Sequence, residues 1–368
     1  MTRCVRMALP AWMTALCFAT GAGADIKVEV SIPDPAYAWQ ARDFAPVEVW
    51  LASEPGNAGE HGNNENSKSL PVLRAQAWLA RREGAGARAL ALIDRAIELG
   101  PDRPDLRVDR AAFRSDQIED SGPLKSLRIA RDVRRDLEHA LAISPEHTDA
   151  LAALAAFHMR APGIAGGDKQ EAAALLARLG ELAPSRRSFR EAIDLADEER
   201  FAEAVDRIAL ALSQADRPMP NWQVRMGDWL HRLGRHDGAL EAYREALSQA
   251  PQHTGAMYGF GRTAAESGIS ADAGIGALQR FLDLPRWPRD PETRFAWWQL
   301  GRIHARAGCA EKAEAAYRRA LALDPDWRAP RRSLDQLADA GDPNGSCEPG
   351  TERPFEQAPL PAGKRSRG

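Results

Sequence analysis

The sequence has few cysteines, little net charge and no long apolar run. Four cysteines occur in 368 residues, and none forms a C-x-x-C pair. A thiol-redox motif or a cysteine zinc site is therefore not supported. Forty-nine Lys and Arg face 52 Asp and Glu, a formal charge of -3. That balance excludes an overall basic nucleic-acid binder and a strongly acidic tail protein. Mean hydropathy is -0.44, which excludes a polytopic membrane protein. No G-x-S-x-G, H-E-x-x-H or S-x-x-K pattern is present, so the common hydrolase signatures have no residues to rest on. Aromatics are 7%, and the chain is rich in Ala, Arg and Leu, a composition that leans helical.

The N-terminus reads as an address. Arg3 and Arg6 precede an apolar stretch from Ala8 to Ala19, too short to span a bilayer as a helix. Ala22, Gly23 and Ala24 offer small residues for cleavage, so residues 1–24 read as a signal peptide and Asp25 as the first mature residue. A lipoprotein is less well supported, because Leu16 rather than a small residue precedes Cys17. Cleavage leaves 47 basic and 52 acidic residues, a charge of -5. It also leaves only Cys309 and Cys347, which in an oxidising compartment form one disulfide or stay as two free thiols. The implied location is periplasmic or secreted, with no stable membrane span.

The body repeats with a period of 34 residues. The clearest unit starts at Pro220 and carries Met226, Gly227, Leu230, Gly234, Ala239, Tyr243, Ala246 and Pro251 at positions 7, 8, 11, 15, 20, 24, 27 and 32. A unit from Arg294 repeats this with Trp297, Leu300, Gly301, Gly308, Ala313, Tyr317, Ala320 and Pro325. Small residues at 8, 20 and 27 let two helices approach, and the aromatic at 24 fills the gap between them. Gly at 15 permits the tight turn, and Pro at 32 ends the second helix. The pattern resembles the tetratricopeptide repeat family. Weaker units start at Thr254, where Ala277 replaces the aromatic, and at Leu70; three degenerate ones cover 104–147, 148–186 and 187–219. The resemblance implies an all-α superhelical solenoid of about seven helix-turn-helix repeats over residues 70–340, closed by a capping helix from Ala329 to Ala340.

The flanks read differently. Ile26, Val28, Val30 and Ile32 alternate, as do Val47, Val49 and Leu51, which predicts a short hairpin or strands that pair only with a partner. Two strands without a core are marginal, so disorder is the alternative. Glu54 to Ser69 has linker composition, and residues 341–368 read as a disordered tail.

Three local clusters invite chemistry and are better read as structure. Gly163 to Lys169 superficially suggests a phosphate loop, but Asp168 stands where Gly is required and Gln170 where Ser or Thr is required. Asp168 with Glu171 reads instead as a helix N-cap and capping box. The segment is also similar to Gly-Gly insertions in some bacterial envelope TPR proteins, including the T-component of periplasmic TRAP transporters. His231 and His236 lie five apart across a turn, without helical metal-ligand spacing. Asp194, Asp197, Glu198 and Glu199 form an acidic run at a turn without pocket-forming context. No cofactor, metal site or catalytic residue is expected.

The resemblance places the binding surface at unit positions 2, 5, 9, 12 and 13, which face the concave side in TPR proteins. These give Asn221, Val224, Asp228, His231 and Arg232, then Tyr258, Arg262 and Glu266, then Phe295, Trp298, Arg302 and Arg306. In the first unit they give Arg74, Trp78, Arg81 and Arg82. Aromatic and Arg side chains carry much interface energy, and Arg grips carboxylates with two parallel bonds. A chaperone-type carboxylate clamp is not matched, because Val224 and Trp298 stand where that clamp has Lys. Trp222 and Trp229 fall at inter-helix positions. The expected function is a non-catalytic adaptor holding a peptide or helix of an envelope or secretion component. The alternative is a transporter-associated protein handling a small ligand beside a solute-binding partner, which a cavity through the solenoid would favour.

Overall fold

The computed structural model describes residues 33–54, 69–288 and 290–339. The expected signal peptide, the alternating run Ile26 to Ile32, Cys347 and residues 341–368 lie outside them. Among the described residues there are seventeen α-helices and no strand. None is long and apolar enough to cross a membrane.

Fourteen helices form seven hairpins. They are α3 (Leu70–Arg82) with α4 (Gly86–Leu99), α5 (Pro104–Ser115) with α6 (Pro123–Ile143), and α7 (Thr148–Arg160) with α8 (Lys169–Leu182). Next come α9 (Pro184–Asp197) with α10 (Phe201–Ser213), and α11 (Pro220–Arg232) with α12 (His236–Gln249). Then follow α13 (Thr254–Ser267) with α14 (Ala271–Asp283) and α15 (Thr293–Arg306) with α16 (Ala310–Leu323). The second helix of each hairpin packs on the first of the next, and α17 (Arg328–Asp339) packs on α16. This is the expected all-α solenoid.

The repeat positions explain the packing. A Cβ on Gly227 would lie 2.7 Å from the Tyr243 ring, so only glycine at position 8 lets the aromatic at 24 enter. Gly301 admits Tyr317 in the same way. In the unit that lacks the aromatic, Leu278 fills the space against Gly261. Each second helix presents a stripe at three- and four-residue steps; α12 buries Ala239, Leu240, Tyr243, Ala246 and Leu247. Gly234 and Gly308 turn the chain between helices at φ of 71° and 76°, the left-handed region glycine tolerates. At the turn between α9 and α10, Glu199 takes φ 61° instead.

The two units longer than 34 residues, 104–147 and 148–186, accommodate their extra length differently. The second hairpin absorbs its surplus in a long connection and in α6, which has 21 residues. The third holds a short 3-10 turn at Gly163–Ala165, after which the Asp168 carboxylate accepts from the Gln170 and Glu171 N–H groups and caps α8. The acidic run is tied to arginines: Asp194 pairs with Arg190, and Asp197 with Arg160.

The strand expectation at Val47, Val49 and Leu51 is corrected. Residues 35–53 form two helices, α1 (Pro35–Ala41) and α2 (Ala45–Ser53). Val47, Trp50 and Leu51 are buried at helical steps while Val49 is exposed. Three alternating residues fit a helix face as well as a strand. Asp34 caps α1 through the Ala36 N–H, and Pro35 and Pro46 start the two helices.

Candidate binding site: a chamber on the concave face

The concave side holds a chamber of about 1490 Å³. Its walls come from the first six hairpins, from α1, and from the connection between α14 and α15. Asn221, Val224, Asp228, Tyr258 and Arg262 line it, as do Arg74, Trp78 and Arg81 of the first hairpin. His231, Arg232, Phe295, Trp298, Arg302 and Arg306 do not line it. His231 Nδ1 bonds Thr263 Oγ1 at 2.9 Å, and Arg232 lies over the Phe201 ring. Arg306 lies beside the turn at Gly268. Phe295 and Trp298 both pack on Trp327, with Arg302 over Trp298, so they form a separate cluster at the C-terminal end.

Most chamber charges are paired. Arg74 binds Asp109 at 2.6 Å, Arg81 binds Asp116 at 2.6 Å, and Arg262 binds Asp228 at 2.9 Å. Burial penalises the Arg74 charge, but Asp109, Asp105 and Asp34 outweigh it and raise its pKa. Asp228 also accepts from the Tyr243 hydroxyl at 2.7 Å, and burial with that acid beside it pushes the phenol well up. His253 is buried. Its Nδ1 accepts from the Ala256 N–H, so Nε2 carries the proton and donates to Asn221 Oδ1 at 2.8 Å. Burial, then the nearby Arg42 charge, lowers its pKa to about 3.

Two arginines differ. Among the described residues, neither Arg217 nor Arg225 has a carboxylate within ion-pair distance. Arg225 is exposed on the chamber wall, with Arg160 and Arg190 as like-charged neighbours and Asp228 and Asp197 acting on it only from beyond ion-pair distance. Phe189 and Trp222, parallel at 4.4 Å, form an aromatic platform on the same wall. Trp222 is buried as its spacing predicts, yet its edge still lines the chamber. Arg225 stands at unit position 6, outside the positions the family pattern points to, so nothing in the repeat signature marks it.

The chamber's side wall was also hidden from the sequence. Trp287, in the connection between α14 and α15, joins the core of the first hairpin with Trp39, Phe44 and Trp78. Asp290, fully buried, pairs with Arg42 at 2.6 Å and accepts from the Trp287 N–H. Helix α1 contacts both α3 and α11. The two ends of a long stretch of solenoid are therefore bridged by the N-terminal helices.

Tetratricopeptide repeat models match residues 189–254, 224–291 and 294–327. These three stretches are tetratricopeptide repeats. No curated protein matches its sequence. Solved structures with a similar fold include YrrB, a TPR protein with an unusual peptide-binding site, at 16% identity and TM-score 0.36, covering 66% of this chain and 97% of that one. TTC0263, a thermophilic TPR protein of Thermus thermophilus, is 17% identical with TM-score 0.42, over 53% and 98% of the two chains. Cut9 in its complex with Hcn1 is 14% identical with TM-score 0.44, over 79% and 58%. Among the described residues, no group of three His, Cys, Asp or Glu is placed to hold a metal ion.

Proposed function

We propose that this TPR protein is a non-catalytic adaptor that holds a peptide or short helix of an envelope or secretion component in its chamber. The observation that carries the reading is the chamber itself, lined by six hairpins, with Arg225 and Arg217 lacking carboxylate partners beside the Phe189–Trp222 platform. Arg225 is suited to a carboxylate of the bound segment, and the platform to an apolar side chain. Asn221, Tyr258 and Arg262 are the further contacts in this reading. The C-terminal cluster of Phe295, Trp298, Arg302 and Arg306 is the rival location.

A periplasmic or secreted location belongs to the same proposal and rests on the Arg3 to Ala24 pattern. So does a Cys309–Cys347 bridge, since only these two cysteines remain after cleavage there. The intact mass of the unreduced mature chain tests both.

The chamber also favours the second reading, a transporter-associated role with a small ligand. Its volume supports the peptide reading. Small-molecule pockets typically measure about 300–1,000 Å³, and the chamber, at about 1490 Å³, is larger.

The test is affinity capture from cross-linked cell envelopes with three proteins: wild type, Arg225→Ala/Tyr258→Ala, and Trp298→Ala/Arg302→Ala/Arg306→Ala. A partner lost only with the first variant supports the chamber. A partner lost only with the second moves the site to the C-terminal cluster. No partner with any of the three removes the adaptor reading and leaves the small-ligand one.

A further inference from the structure

Helices α1 and α2 have seven and nine residues. Helices that short are not stable alone in water, so docking holds them. They dock on the first hairpin through Arg74, Arg81 and Arg82, the positions a TPR groove offers to a partner. Asp34 approaches Arg74 at 3.6 Å. The Arg81 guanidinium lies 4.1 Å from the Trp39 ring centre. Arg82 pairs with Glu48 at 2.7 Å and covers Phe44.

The opposite side of the same segment meets a different part of the chain. Trp39 and Phe44 contact Trp287 at 5.4 and 5.5 Å between ring centres. Arg42 reaches the buried Asp290, and it does so from a left-handed backbone at φ 54°, a strained conformation for a residue with a Cβ. Tyr37 donates to the Pro218 carbonyl at 3.3 Å and lies under Arg217. Aromatic rings and arginines dominate these contacts, the chemistry of a protein–protein interface.

We propose that the face formed by the first hairpin and the Trp287–Asp290 turn is a docking site for an acidic–aromatic helical segment. The chain's own residues 33–54 are its resident and exchangeable occupant. A partner segment with the same pattern displaces them: an acid, aromatics three and five residues on, and an arginine eight residues on, as in Asp34, Tyr37, Trp39 and Arg42. Because these four residues also line the chamber, displacement opens it from the side. Only that consequence rests on the chamber being the adaptor site; the exchange stands or falls alone.

The test uses the full chain with a protease site placed within residues 55–68. After cleavage, a fluorescent synthetic peptide of residues 33–54 is added and followed by anisotropy. The labelled peptide is expected to enter the cleaved protein and to be competed by unlabelled peptide. A peptide carrying Trp39→Ala and Arg42→Ala should compete at least tenfold less well. Uncut protein should bind the label at least tenfold more weakly, because its tethered segment is present at high effective concentration. Three results overturn the proposal: no exchange after cleavage, equal competition by the substituted peptide, or loss of the helical circular dichroism signal on cleavage. The first and third would make residues 33–54 a fixed part of the core; the second would show that the site does not read Trp39 and Arg42. Failure of the adaptor reading shows separately, in envelope capture with Arg225→Ala, which leaves this face intact.

Discussion

The repeats from Pro220 to Leu323 and the half of the protein before them are built from the same hairpin but differ in what they do with it. In the C-terminal repeats, glycine meets aromatic at Gly227–Tyr243 and Gly301–Tyr317, and the hairpins stack regularly. The earlier hairpins lack this interlock and carry a long α6, an inserted 3-10 turn and a non-glycine turn at Glu199. Yet the chamber lies mostly against these irregular hairpins, and the seventh contributes nothing to it. The repeat signature reports how two helices interlock. It does not report which hairpin binds.

That contrast can be broken or sharpened by five measurements. The largest effect is expected at Trp229, buried between the helices of a regular repeat. Trp229→Ala should lower unfolding free energy by about 3–5 kcal/mol in urea titration. Trp298→Ala, half-buried against Trp327, should cost clearly less; equal losses would show that the C-terminal cluster is core.

Next is Asp290→Ala, which strands the Arg42 charge and the Trp287 N–H. Breaking a buried pair costs about 3 kcal/mol or more. Here the loss should be local. Hydrogen exchange should accelerate in residues 35–53 while α11 to α16 stay protected. Uniform acceleration would mean that the N-terminal helices are inseparable from the solenoid.

The third is a pH dependence. His253 has a native pKa of about 3 against 6.5 for the free side chain. Between those values the unfolded chain binds a proton that the native state refuses. Stability therefore falls as pH drops from 6.5, by about 2–3 kcal/mol at pH 4.5. His253→Asn keeps an acceptor for the helix start and should flatten that part of the profile. An unchanged slope between pH 7 and 4.5 would remove His253 as its source.

The fourth is a backbone effect at the irregular turn. Glu199→Gly should stabilise by about 0.5–1 kcal/mol, and Gly234→Ala should destabilise by about 1 kcal/mol, because each site has positive φ. Melting curves that move the same way in both would contradict this. The smallest stability effect is expected for Arg225→Ala, within about 0.5 kcal/mol of wild type. A large loss there would make Arg225 structural and withdraw it from binding.

The solenoid was legible because its cause is local. Small residues at 8, 20 and 27, the turn glycine at 15 and the proline at 32 act within one unit of 34 residues, so spacing alone exposes them. The binding region was legible only in part. Asn221 and Asp228 sit on the clearest repeat, Tyr258 and Arg262 on the one that follows it, and all four line the chamber. Arg225 was missed because its distinction is the lack of a partner, which spacing does not encode. The segment around Val47 was misread because three alternating residues suit either period, and burial of Val47, Trp50 and Leu51 against the first hairpin decided for a helix.

The sequence by itself determined the hairpin, its repetition and the positions where helices interlock, since these depend on residues within one or two units. Only the tertiary structure decided where the chamber lies and what walls it. Arg42 and Asp290 are 248 residues apart, and no periodic pattern links them. They meet because small rotations from repeat to repeat accumulate until the α14–α15 connection at Trp287 reaches the N-terminal helices, a sum over many units that no single unit contains.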